Sequence, residues 1–89
     1  MDANLKTKWV EALRSDRFEQ ARRELQSCDG GSYCCLGVLC VVAEIDLGNI
    51  DAAYRRLEKL VGNYDPLVDL NDIKGKSFAD IADYIEANL

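Results

Sequence analysis

At 89 residues the chain makes one domain (residues 1–89) with a single hydrophobic core, burying about 60–65% of the surface its unfolded form exposes, which leaves little room for a deep enclosed active site. Its 48% hydrophobic and 30% charged residues, with one proline and six glycines, exclude a disordered or collagen-like chain. Six Lys/Arg stand against five Asp/Glu over residues 1–27, then five against eleven over residues 28–89. An acidic body of this kind argues against direct nucleic-acid binding and suits a basic partner.

The polar start, Met1 to Leu5, leads straight into a helical pattern, so no signal peptide is expected, and the longest apolar run falls short of a membrane span. A cytoplasmic protein with reduced thiols and no membrane contact follows from that. Asn4 is placed to cap a first helix carrying Leu5, Trp9, Ala12 and Leu13 on one face. Asp16 followed by Glu19 resembles a capping box, and Phe18, Ala21 and Leu25 continue at helical spacing, which predicts a second helix over Arg17–Gln26. The glycine pair Gly30-Gly31 then breaks the chain.

From Tyr33 to Leu47 the apolar residues run almost without interruption, so length arbitrates, and about fourteen residues before Gly48 predict a helix capped by Ser32. Apolar on nearly all sides, it belongs at the centre of a bundle. Asn49 or Asp51 caps a fourth helix with Ile50, Tyr54, Leu57 and Val61 on one face, closed by Gly62. Asn63 to Asp65 with Pro66 reads as a turn, and Leu67–Ile73 alternates enough for a short strand without an evident partner. Ser77 with Asp80 makes a capping box for a last amphipathic helix through Phe78, Ile81, Ala82, Ile85 and Leu89. The predicted fold is all-α, a compact bundle of about five short helices around a central apolar helix.

Three of the four cysteines lie inside that central helix. Their intervals of six, one and five residues do not match the paired spacing of zinc ligands, and the chain has no histidine to complete a site or to activate a nucleophilic thiol. Cys34, Cys35 and Cys40 therefore read as small buried hydrophobes, and Cys28 as the exposed thiol, with a pairing of Cys28 to Cys34 or Cys35 left open. Gly37 lies on a strip of small residues that lets another element approach closely. No cofactor, metal or catalytic residue is expected.

Two surface features remain as candidate binding sites. The carboxylates Asp80, Asp83 and Glu86 of the last helix, with Asp69 and Asp72, form an acidic surface for a partner protein. The turn Asp29-Gly30-Gly31-Ser32 before a helix resembles an anion-binding loop without the spacing and lysine of a nucleotide loop, and the second helix's Arg17, Arg22 and Arg23 would assist it; with Arg14 these form a small basic patch in which Glu11, Asp16, Glu19 and Glu24 interleave.

Four stretches in order, KWVEALRS (Lys8–Ser15), YCCLGVLC (Tyr33–Cys40), LND (Leu70–Asp72) and KSFADIADYIEANL (Lys76–Leu89), resemble a family of small bacteriophage and prophage proteins. Between Cys40 and Leu70 the chain departs from that pattern, with a compact helix where many relatives carry a longer insert. The resemblance implies a phage accessory protein in the host cytoplasm. The leading expectation is then a non-enzymatic inhibitor that binds a host protein stoichiometrically through the acidic surface, for instance an anti-CRISPR or other counter-defence factor acting on a nucleic-acid-binding component. Alternatives are a small-ligand or nucleotide-signal binder built on Asp29–Ser32, working across a homo-dimer interface, and a metal or redox module.

Overall fold

The computed structural model describes all residues from Met1 to Leu89. Helix α1 (Ala3–Arg14) begins one turn before its apolar stripe, because Asp2, not Asn4, is its cap, its carboxylate accepting from the Leu5 amide at 2.8 Å. The stripe then buries Trp9, Val10, Ala12 and Leu13.

The expected helix over Arg17–Gln26 does not form. Asp16 and Arg23 both have positive φ, at 62° and 67°, a conformation no right-handed helix contains. Asp16 therefore caps nothing. The segment runs extended instead, with a two-residue strand β1 (Glu19–Gln20) paired in parallel with β2 (Ser32–Tyr33) and an antiparallel bridge between Gln26 and Tyr33. Phe18, Ala21 and Leu25 still reach the core, since a bent extended chain can deliver apolar side chains at the same intervals as a helix. The domain is mostly helical with this small sheet, not purely α.

Helix α2 (Cys35–Val42) is shorter than the apolar run predicted. Ser32 lies in β2, and the cap is Cys34, whose sulfur accepts from the Gly37 amide at 3.4 Å. At its other end Glu44 takes φ 57° while Glu44 N–H bonds Val41 C=O at 3.3 Å and Ile45 N–H bonds Cys40 C=O at 2.8 Å. That is a Schellman closure with glutamate where glycine is usual. Residues Cys34 to Cys40 are all buried, as expected of a central helix.

Helix α3 (Ile50–Val61) keeps its predicted ends, capped by the Asn49 side chain on Ala52 N–H and closed by Gly62, but it buries Ala53 and Leu57 while Ile50, expected on the buried face, is exposed. Helix α4 (Asp65–Val68), with Pro66 in its first turn, passes into a π-helical turn (Asp69–Ile73) instead of the strand that alternation suggested. Here Lys74 N–H reaches back five residues to Asp69 C=O at 2.9 Å. Helix α5 (Phe78–Asn88) is capped by Ser77, whose hydroxyl accepts from Asp80 N–H at 3.2 Å. Helix α1 packs between α5 and α2, and α2 packs on α4 and α3, so the core is one continuous cluster with Trp9, Leu39, Leu57 and Ile85 fully enclosed.

The two halves of the chain are tied by Asn71, the one buried polar side chain. Its oxygen accepts from Cys35 N–H at 3.2 Å and Gln20 Nε2 at 2.9 Å, and its nitrogen donates to Ala21 C=O at 2.9 Å and Asp72 Oδ1 at 2.7 Å. All four valences of the amide are used. The Cys35 amide belongs to the first turn of α2, where helical N–H groups lack partners, so a residue 36 positions away finishes that helix end.

Candidate functional site

The thiols are the densest group of chemically capable residues in the chain. All four are free, Cys28 exposed and the other three buried. Burial pushes the Cys34 thiol up to about 11 and the Cys40 thiol up to about 12, and raises that of Cys35 well above the ordinary value. Thiolate is the nucleophile and the metal ligand, so these shifts oppose both uses. The Cys34 sulfur caps α2, and the Cys35 sulfur donates to Leu67 C=O at 3.7 Å. No group of three or more Cys, Asp or Glu side chains is placed to hold a metal ion.

The glycine loop is closed on itself. Ser27 N–H donates to Ser32 C=O at 2.9 Å, and Gly30 N–H to Ser27 C=O at 2.9 Å. Ser32 N–H donates to Ser27 Oγ at 3.0 Å, and Gly31 N–H to Asp29 Oδ1 at 2.9 Å. The Asp29 carboxylate, held below its ordinary range by the Ser27 hydroxyl and then by the Gly31 amide, already occupies the place an incoming anion would take. Gly30, with φ 76°, serves the turn. The arginines disperse as well: Arg17 lies over the Phe18 ring at 5.5 Å, Arg22 lies against Gly75, and the Arg23 amide donates to Asp72 Oδ1 at 2.8 Å.

The acidic residues divide into three environments. On α5, Asp83 and Glu86 both pair with Arg14 of α1, the Arg14–Asp83 bond being 2.6 Å. These two bonds, Asp83 first, raise the Arg14 pKa above its ordinary value. Only Asp80 of that helix is exposed without an ion-pair partner. Asp72, expected at the surface, is partly buried and structural, accepting from Arg23 N–H and Asn71. Asp69 has a 3.5 Å contact with Lys74.

A fourth grouping was not anticipated. Asn63, Asp65, Pro66, Val68, Asp69 and Ile73 line one shallow groove. Glu58, Gly62, Asn63, Tyr64 and Asp65 line a second, which adjoins the first at Asn63 and Asp65. Together they make a strip bearing three carboxylates and no lysine or arginine in its lining, with Ile73 at one end exposing 73% of its surface. The sequence signal was present in the acids Glu58, Asp65 and Asp69, but reading Leu67–Ile73 as a strand concealed which of its side chains face out.

The sequence profile of a family described as "Domain of unknown function (DUF8296)" matches residues 1–59. Neither a curated protein nor a solved structure matches the chain. The matched stretch ends inside α3, so Asn71, every lining residue of the strip except Glu58 and the whole of α5 lie beyond it.

Proposed function

The chain belongs to the DUF8296 family, and from its surface we propose that it acts by stoichiometric binding to another protein, through carboxylates presented by its acidic C-terminal half. The observation that carries this reading is the strip from Glu58 to Ile73, where three acids and a bare isoleucine share one face without a lining cation. Such a face adds electrostatic attraction to apolar contact, the combination that speeds and orients association with a basic surface. Three of the four thiols are buried, with Cys34 and Cys35 hydrogen-bonded within the fold, and the glycine loop is closed on itself, which disfavours the redox and nucleotide-loop alternatives.

The resemblance to small phage and prophage proteins supplies a setting: a host cytoplasm, and a basic host protein, such as a nucleic-acid-binding defence component, as the partner. No helix of the chain is long and apolar enough to cross a membrane. In that setting the protein would compete with nucleic acid for the partner's cationic groove, as a counter-defence inhibitor. The test is affinity capture from bacterial lysate with tagged protein at low and high salt. A stoichiometric partner recovered at low salt and released by high salt supports the reading, and recovery of none at low salt refutes it.

A further inference from the structure

We propose that the strip between α3 and the π-helical turn, lined by Glu58, Asp65, Asp69 and Ile73, docks a segment of a partner protein rich in Lys and Arg. The inference rests on the binding reading above and specifies its surface and the chemistry of its occupant.

The occupant follows from charge and shape. Both adjoining grooves are shallow and open, without the enclosure a small molecule needs to bury most of its area. The carboxylates do not converge on a metal geometry. What the strip offers is an apolar track of Tyr64, Pro66, Val68 and Ile73 beside three negative charges. Lysine and arginine side chains satisfy both features at once, laying their alkyl stems over an apolar surface while the charged head reaches a carboxylate. A neutral apolar segment would leave the carboxylates unanswered, and an acidic one would be repelled. The one cation within ion-pair distance of these carboxylates, Lys74, touches only Asp69, in a pair whose side chains are 58% and 42% exposed, which an incoming arginine can displace. The acids of α5 make a poorer dock because Arg14 already answers two of them.

The test uses the full chain, 15N-labelled, titrated with a synthetic peptide of alternating lysine and leucine pairs and with its glutamate counterpart. Amide shifts are expected at Val68, Asp69 and Ile73 in excess of those at Asp80, Asp83 and Glu86, with the glutamate peptide silent. Asp65→Asn with Asp69→Asn should weaken the lysine peptide about tenfold, and Ile73→Ser about fivefold, while Glu11→Gln, at an exposed carboxylate of α1 outside the strip's lining, leaves it unchanged. Because Asp65 and Ile73 are exposed, these variants should fold, which the dispersion of the same spectra verifies.

Shifts spread evenly over all carboxylates, or centred on α5, would overturn the assignment. So would shifts at residues 58–73 that appear on concentrating the protein alone, which would give the strip to a second copy. If lysate capture succeeds and the Asp65/Asp69 and Ile73 variants capture the same partner at wild-type yield, the strip is wrong and the binding reading stands. If the peptide docks as described but no host protein is captured, the strip stands and that reading fails.

Discussion

Gly37 offers a direct measure of how the irregular segment after α1 is held. A Cβ built on Gly37 would lie 1.8 Å from the carbonyl oxygen and 2.9 Å from the carbonyl carbon of Leu25, far inside contact distance. In Gly37→Ala the Leu25 backbone must retreat by more than an ångström, and it cannot do so freely, because its carbonyl accepts from Cys34 N–H at 3.3 Å and its side chain is buried. Overpacking of a filled core costs about 1–3 kcal/mol. Loss of the Leu25–Cys34 hydrogen bond adds about 1 kcal/mol, and the better helix propensity of alanine returns about 1 kcal/mol. The net expectation is a loss of about 1–3 kcal/mol, a sizeable part of the ~4–13 kcal/mol typical of a domain this size. In urea, with an m-value near 1 kcal/mol/M, the midpoint should fall by about 2 M at unchanged slope. An unchanged or raised midpoint would refute the reasoning, because alanine at an open helix position stabilises.

Asn71→Leu would strand Cys35 N–H and Ala21 C=O, at a cost of about 1–3 kcal/mol for each, while the Gln20 amide keeps its bond to Lys76 C=O, so thermal melting by circular dichroism should fall by about 10 °C or more. Glu44→Gly relieves a non-glycine residue at φ 57° in the closure of α2 and is expected to stabilise by about 0.5–1 kcal/mol in the urea assay. An aromatic disulfide reagent should titrate one sulfur, Cys28, in the native protein and all four only on unfolding. The buried thiols also fix a pH dependence. Their folded pKa values, about 11 for Cys34 and about 12 for Cys40, lie above the ordinary 9.0, so the stability they contribute is complete below pH 9 and is lost as pH rises toward those values. The urea midpoint should therefore be lower at pH 10.5 than at pH 8, and a higher one would contradict the assignment.

Helices α1, α3 and α5 were legible because each carries its own information: a cap within three residues of the first turn and apolar residues at intervals of three and four. Where structure depended on distant partners, local pattern misled. Phe18, Ala21 and Leu25 satisfy a helical template, yet the segment is held extended by Tyr33 C=O on Ala21 N–H and by Asn71 on Ala21 C=O, neither visible in a window of ten residues. The end of α2 was missed for a different reason. The apolar run continues to Leu47, but the turn falls at Glu44, a residue type that seldom adopts positive φ and gives no warning of it. Burial of the three cysteines followed from their divergence around a helix. The acidic site was only partly legible, since whether Asp83 and Glu86 are free or answered depends on Arg14, 69 residues from Asp83.

The pairing of α1 with α5 has a consequence for how the protein comes into being. Lys6 Nζ contacts Glu86 C=O at 3.3 Å across 80 positions of chain, and α1 is sealed on one side by α5. During synthesis α1 can pack on α2, to which Trp9 Nε1 donates at Cys35 C=O, but its α5 side stays open until Ile81, Ala82 and Ile85 follow. A nascent chain in this condition is a client for chaperones and prone to self-association. Closure of the core waits on this long-range pairing of α1 with α5, the kind of non-local contact that slows folding. A fragment cut at residue 59, the limit of the recognised family stretch, would stay in that unsealed condition.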